Sequence, residues 1–394
     1  MGTVVTGIGV VSAAGLNVDE NLKSLRCCRS GVAKARFLQT RHDVPLGEVA
    51  LSNDELRSLL GVPEKERFSR ASLLGLLAAR EALKDSGLRV DSGVRVGLVS
   101  ATSAGGMDRS EFFYKDEVSK RNSGRLRDVV LHDCGDSSET VARSLGISDF
   151  VTTISTACSS SANAIILADR LLRHNRLDAV LVGGIDPLCK FTVNGFSSLM
   201  ILDKDLCRPF DQSRAGLNLG EGAAFLVLQR KEDVKSGGYC RLSGFANAND
   251  AYHQTAISHD GIGPFLAMEG ALKRAGLHPS DIDYVNVHGT GTENNDWSEG
   301  VAMKRLFGDC VPMFSSTKVY TGHTLGACGA IEAVYSVLSL VNDMAFPTFN
   351  FKNAIEGLDI EPVTALRENV GLKNVMSNSF GFGGNVSSLI FSKM

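Results

Sequence analysis

Short, almost wholly apolar runs alternate along the chain with longer runs of helical periodicity. Residues 4–11, 94–101, 151–155, 179–183, 223–228, 284–288, 312–316 and 387–391 are mostly apolar at consecutive positions, which predicts strands covered on both faces by helices. Residues 68–86 are apolar nearly all round and stop at Gly87, and residues 159–173 follow a strand directly. Ala330, Ala333, Val334, Val337, Leu338 and Val341 recur at the spacing of one helical face. This alternation predicts an α/β fold.

One string occurs twice. Ala82-Leu-Lys-Asp-Ser-Gly87-Leu is mirrored by Ala271-Leu-Lys-Arg-Ala-Gly276-Leu. Each copy ends a predicted helix and leads into an apolar strand and then a Gly/Thr/Ser loop, at residues 100–106 and 289–292. The matching order of elements predicts two duplicated α/β halves, 1–235 and 236–394. Residues 107–135 break the pattern: Glu111, Lys115, Asp116, Glu117, Lys120, Arg121, Arg125 and Arg127 make them polar, and they read as an insertion capping one end.

Composition narrows the function. Of 394 residues 43% are apolar and 22% charged, enough to build a large core. The net charge is -3 and no Lys/Arg run exists, so a nucleic-acid partner is not expected. No unbroken run of 18 apolar residues argues for a membrane span, and the N-terminus lacks the basic start of a signal peptide. A myristoylation-like pattern from Met1 and Gly2 to Thr6 is set aside, because the same residues read better as a buried first strand. The nine Cys are scattered without a CxxC, and the eight His without an HExxH. That pattern predicts no metal site, no disulfide framework and a reducing, cytoplasmic setting.

Four segments carry candidate chemistry. In Thr156-Ala-Cys158-Ser-Ser a strand turns through small residues into a helix, a place where unpaired N–H groups and the helix dipole favour a thiolate; the alternative is a buried structural Cys. His288-Gly-Thr290-Gly-Thr292 puts a His and two hydroxyls at a strand end, where the alternative is a His bonded to backbone. Lys318, His323 and Glu332 follow another strand, and Glu332 lies off the apolar stripe where it could orient Lys318; separately they would be ordinary surface charges. Phe380-Gly-Phe382-Gly383-Gly384 offers close backbone approach and an aromatic wall, or is a plain Gly-rich turn. Gly7-Ile-Gly9 lacks the third glycine of a dinucleotide fingerprint, and that reading is rejected.

These segments, with Arg208-Pro-Phe-Asp211-x-x-Arg214-x-Gly216-x-x-x-Gly220-Glu221-Gly222, resemble in order and over the whole chain the elongating, Cys-His-His type of β-ketoacyl-[acyl-carrier-protein] synthase. The resemblance implies a thiolase-like fold with α-β-α-β-α layers. It also implies that Cys158 carries the acyl chain as a thioester, and that His288 and His323 assist decarboxylation of malonyl-carrier. Backbone N–H groups of Cys158 and Phe382 would form one oxyanion hole and the two imidazoles the other. Lys318 would set the local field, held by Glu332. Thr290 and Thr292 would bind the phosphopantetheine arm; Phe382 would gate the acyl pocket, with Phe196, Phe380 and Gly383 beside it.

No cofactor of its own is implied, because phosphopantetheine arrives on the acyl carrier protein. A homodimer joined edge to edge near the first half is expected, and a heterodimer with a related chain is the variant. Lys65, Arg67 and Arg70 are the candidates to meet the acidic carrier. The Cys-His-Asn chain-starting enzymes do not fit, since His323 is present, nor do thiolases, since no Cys follows Cys328. A non-catalytic partner subunit is the alternative, which the presence of Cys158 disfavours. Two positions depart from the family pattern: Asn385-Val386 stands where Thr-Asn is usual, and Glu293 where Pro is common. Both are read as marks of an unusual acyl substrate or partner in a specialised lipid, polyene or polyketide pathway.

Overall fold

The computed structural model describes residues 2–120, 124–234 and 237–394. Met1, Arg121 and the expected boundary between residues 235 and 236 lie outside them. The first half runs β1 (Thr3–Ser12), α1 (Val18–Arg26), α2 (Asn53–Leu60), α3 (Arg70–Ser86), β2 (Val96–Ala101), α4 (Met107–Lys120), α5 (Cys134–Leu145), β3 (Phe150–Ile154), α6 (Ser160–Arg173), β4 (Ala179–Asp186), α7 (Lys190–Ser198) and β5 (Gly222–Arg230). The second runs β6 (Cys240–Asn249), α8 (Ile262–Ala275), β7 (Tyr284–Asn286), α9 (Glu293–Phe307), β8 (Met313–Ser315), α10 (Lys318–Thr321), α11 (Cys328–Asn342), β9 (Met344–Ala345), β10 (Arg367–Glu368), β11 (Asn374–Phe380) and β12 (Asn385–Ser392).

The main sheet has the strand order β3-β2-β4-β5-β1-β6-β12-β11-β7-β8. Each half contributes the same five-strand pattern. β2 is parallel to β3 and β4, while β5 is antiparallel to β4 and β1. β7 is parallel to β8 and β11, while β12 is antiparallel to β11 and β6. The repeated strings end α3 and α8, and both helices stop at a left-handed glycine, Gly87 (φ 65°) and Gly276 (φ 68°). Only Thr3–Val5 and Cys240–Leu242 join the halves across β1 and β6, so the ten strands act as two five-stranded blocks.

The helices make the layers. α3 packs on β1 and β5, and α8 on β6 and β12. Between the blocks α6 lies against α11, and α11 touches strands of both halves. That position explains the composition of α11. Its stripe Ala330, Ala333, Val334, Val337 and Leu338 is buried, but so are Ile331 and Tyr335 on its other side, and only Val341 of the predicted stripe reaches solvent. The stretch Leu325–Asn342 has the length and hydropathy of a membrane span, yet 89% of it is buried inside the protein.

All eight predicted strands are present, though the strand expected to reach His288 ends at Asn286. The apolar pattern does not predict β6 and β11 of the main sheet, nor the two-residue strands β9 and β10. Their polar positions, Ser243, Asn247 and Asn249 on β6 and Ser377, Asn378 and Ser379 on β11, hide them from an apolar pattern. Residues 107–135 hold α4 and a 3-10 turn before α5, with no counterpart between β7 and β8, where α9 stands alone.

Candidate active site

The turn that carries Cys158 is built by the crossing from β3 to α6. Ala157 sits in the left-handed region at φ 54°, an uncommon conformation for a residue with a Cβ. Ser160 holds the turn: its hydroxyl accepts the Thr156 N–H at 2.8 Å and donates to the Ala157 carbonyl. Cys158 follows at the mouth of α6, and its residue is 5% exposed.

Three reactive side chains converge there. His323 Nε2 lies 3.1 Å from Cys158 Sγ. The His288 and His323 rings stand nearly perpendicular, with centroids 5.3 Å apart. Ligand-type atoms of Cys158, His288 and His323 all fall within 4.8 Å of one another. The sulfur comes from the first half and both imidazoles from the second.

Hydrogen bonding separates the two imidazoles. Lys318 Nζ lies 3.4 Å from His288 Nδ1. An ammonium can only donate, so Nδ1 accepts and the proton of neutral His288 is on Nε2. His323 Nδ1 is buried with no partner among the described residues, so nothing there fixes its tautomer. Lys318 also pairs with Glu332, and both side chains are almost fully buried. Burial pushes the Glu332 carboxyl up to about 7 while Lys318 pulls it down, and Glu332 in turn helps keep Lys318 protonated.

Burial sets the resting charge state. It lowers both imidazoles well below the ordinary range, and Lys318 adds to that, so both are neutral near neutral pH. It pushes the Cys158 thiol up to about 12, against the opposing pull of Lys318 and of the Phe382 N–H directed at the sulfur. The thiolate expected from the helix start is therefore not the resting form. Desolvation outweighs the helix terminus, and the resting pair is a thiol beside a neutral base.

A cavity of about 440 Å³ opens onto this centre, lined by Cys158, His288, His323, Thr290, Phe380 and Phe382 among others. Phe196 on α7 and Thr292 also line it. The Thr290 and Thr292 hydroxyls are 2.9 Å apart. The Phe196 and Phe382 rings stack at 5.7 Å and 14°, and Phe380 packs against the His288 ring at 5.6 Å. Gly383 is not at the cavity wall. It occupies φ 81° at the back of the turn and donates its N–H to the Gln254 carbonyl at 2.7 Å.

Arg70 is not the surface cation that its place beside Lys65 and Arg67 suggests: it is 8% exposed and forks onto Glu221, with Nε and Nη2 at 2.8 and 2.6 Å from the carboxylate oxygens. The carboxylate that holds it belongs to the Gly220-Glu221-Gly222 motif, so α3 begins on a buried ion pair. Lys65 and Arg67 are exposed in the preceding loop. The departures from the family pattern also separate. Glu293 lines the cavity, whereas Asn385 points its amide oxygen at Ser159, Asn163 and Asn247.

Several buried acids escaped sequence reasoning. Glu299 on α9 accepts the N–H groups of His288 and Gly289, each at 2.9 Å, and the Asn378 amide at 3.0 Å. Asp296 accepts the N–H groups of Gly291 and Phe210. Asp186 accepts Thr102 Oγ1 and the N–H groups of Ser103, Ala104 and Gly326. The available signal was Glu293, Asp296 and Glu299 at three-residue intervals just after a glycine loop whose N–H groups need acceptors. Arg214 completes that loop by donating to the Thr292 and Glu293 carbonyls.

Comparison with known proteins agrees with this geometry. Residues 3–234 match the family model of the β-ketoacyl synthase N-terminal domain and residues 239–352 that of the C-terminal domain. The chain is 32% identical over 410 residues to 3-oxoacyl-[acyl-carrier-protein] synthase 2 of Vibrio cholerae, covering 99% of both chains. It is equally identical over 408 residues to the enzyme of that name from Staphylococcus aureus, covering 99% of this chain and 98% of the other. Among solved structures it resembles a ketosynthase from Xenorhabdus doucetiae in complex with its chain length factor, at 33% identity and a TM-score of 0.88 over 100% and 98% of the two chains. The ishigamide ketosynthase/chain length factor matches at 28% identity and a TM-score of 0.92, over 100% and 99%. With Cys158 on a turn of one half, two imidazoles from the other and both family domains matched, the chain belongs to the β-ketoacyl synthases.

Proposed function

We propose that this chain is a catalytically competent condensing enzyme, joining an acyl group on Cys158 to the two-carbon unit of malonyl-[acyl-carrier protein]. The observation that carries this reading is the convergence of the Cys158, His288 and His323 reactive atoms within 4.8 Å. Cys158 Sγ attacks the thioester carbonyl of the incoming acyl-carrier while His323 Nε2 takes the thiol proton. The oxyanion lies between the Cys158 and Phe382 N–H groups. The carbon–sulfur bond to pantetheine breaks, and the proton passes to the departing thiol. Malonyl-carrier then loses CO₂, and the bonding electrons move onto the thioester oxygen as an enolate. His288 Nε2–H, held in that tautomer by Lys318, donates to this oxygen, and His323, whose Nδ1 has no partner among the described residues, becomes the second donor once its ring proton has exchanged from Nδ1 to Nε2. The enolate carbon attacks the Cys158 thioester, a carbon–carbon bond forms, and Cys158 leaves as a thiolate that takes a proton from water. Each oxyanion donor contributes about 3 kcal/mol to such a barrier.

Thr290 and Thr292 are the hydroxyls available to the pantetheine arm, and the Phe196–Phe382 stack closes the acyl side. No cofactor beyond the carrier's phosphopantetheine enters the scheme. Lys65 and Arg67 form the proposed contact for the acidic carrier, in the cytoplasm. Relatives solved together with a chain length factor support pairing with a second chain of the same fold, identical or related, along the open edge of β3. Glu293 at the cavity mouth supports a substrate or partner outside housekeeping fatty-acid elongation.

Incubation with acyl-carrier thioesters should add one acyl mass to the peptide containing Cys158, and Cys158→Ala should abolish both the adduct and β-ketoacyl product. Product formation by Cys158→Ala would refute the reading.

A further inference from the structure

We infer that Asn385 is a positioning residue, which fixes the turn carrying the Phe382 N–H to the turn carrying Cys158. The inference rests on the condensing reading above. Asn385 begins β12, immediately after the turn, and belongs to the second half. Its Oδ1 receives three donors: Ser159 Oγ at 2.7 Å, Asn163 Nδ2 at 2.8 Å and Asn247 Nδ2 at 2.7 Å. Ser159 is the residue after the nucleophile, and Asn163 lies one turn further along α6. Both also reach back to the nucleophile turn: Ser159 Oγ lies 2.8 Å from the Thr156 carbonyl, and Asn163 Nδ2 lies 2.8 Å from Thr156 Oγ1. Asn247 cross-links the same cluster, lying 3.0 Å from Asn163 Oδ1 and 2.9 Å from Ser387 Oγ. One amide oxygen therefore joins α6, β6 and β12.

The main chain of Asn385 closes the other side. Gly381 N–H donates to the Asn385 carbonyl at 2.8 Å. A Cβ at Gly381 would lie 2.8 Å from the Thr156 carbonyl and 3.2 Å from the Cys158 nitrogen, so the two turns already touch without slack. The two N–H groups that must face one oxyanion thus sit on separate halves of the duplicated fold. Asn385 is a side chain whose hydrogen bonds run directly from the end of one turn to the other. None of the three donors to its oxygen lines the cavity, so its effect is on spacing and not on substrate contact.

The spacing matters where a carbonyl oxygen becomes negative, and does not matter for attack of the sulfur on an alkyl halide. That difference supplies the test. Single-turnover acylation of Cys158 by acyl-carrier thioester and alkylation of the same sulfur by iodoacetamide are measured in parallel. Asn385→Ala should slow acylation at least about tenfold, short of the full loss of an oxyanion donor. Alkylation, and the carrier concentration giving half-maximal acylation, should stay within about twofold. Asn385→Asp keeps acceptors for the same three donors and should restore most of the acylation rate.

Equal slowing of acylation and alkylation, or no slowing of either, would overturn the assignment. If Asn385→Ala does not fold, Asn163→Ala, which removes one of the three donors, is measured the same way and should slow acylation alone. Failure of the wild-type chain to be acylated by any acyl-carrier thioester would instead strike at the condensing reading itself.

Discussion

The buried sulfur is the most informative single residue. Its thiol is pushed up to about 12 and the adjacent imidazoles well below their ordinary range, so Cys158 keeps its proton and His323 stays neutral through the physiological range. Both reacting forms are then already populated. Above the Glu332 titration near 7, the acylation rate should be level within about twofold from about pH 7.5 to about pH 9.5. A rise centred on the ordinary thiol value would mean a free thiolate attacks instead. Arg70 supplies a contrast with its neighbours. Removing it leaves Glu221 charged and buried, so Arg70→Ala should cost about 3–5 kcal/mol of stability, read by urea unfolding. Lys65→Glu with Arg67→Glu should leave stability within about 0.5 kcal/mol and raise the KM for carrier with kcat little changed. At this scale the motifs were legible in the sequence, because small residues, Gly and polar groups stand together where strands end. The burial of Arg70 was not, since nothing local to residues 65–70 reveals that Glu221 waits opposite.

Among the elements, β1 and α3 explain a motif that looked like ligand chemistry. A Cβ built at Gly9 would lie 2.1 Å from the Ala78 carbonyl and 2.7 Å from the Ala82 nitrogen, and one at Gly7 would lie 2.3 Å from the Ala82 carbonyl. These glycines let a helix lie directly on a strand. Gly9→Ala should therefore force α3 outward and cost about 1–3 kcal/mol, seen as a lower unfolding midpoint, without any nucleotide effect. Strands β6 and β11 mark the limit of pattern reading. Ser and Asn are poor strand signals, but here their partners come from distant segments: Asn378 Oδ1 accepts from Ser388, and its amide donates to Glu299. The polar interior of this second block is satisfied by tertiary contacts that no window of sequence contains.

Over the whole molecule the string that occurs twice in the sequence ends corresponding helices, α3 and α8, and the two parts of the sheet use one strand order. The five layers follow from α6 and α11 meeting between the blocks. Among the described residues, β3 stands at one edge of the sheet and pairs only with β2. With the proposed pairing along that edge, sedimentation should give a particle of twice the chain mass, alone or with a related chain; a monomer at micromolar concentration would remove the pairing.

The narrow seam between β1 and β6 has a practical consequence. Severed near it, one fragment would hold the sulfur and the other both imidazoles with their lysine, so neither piece could turn over alone. Returned activity on mixing them would then count reassembled molecules, making the enzyme its own complementation reporter.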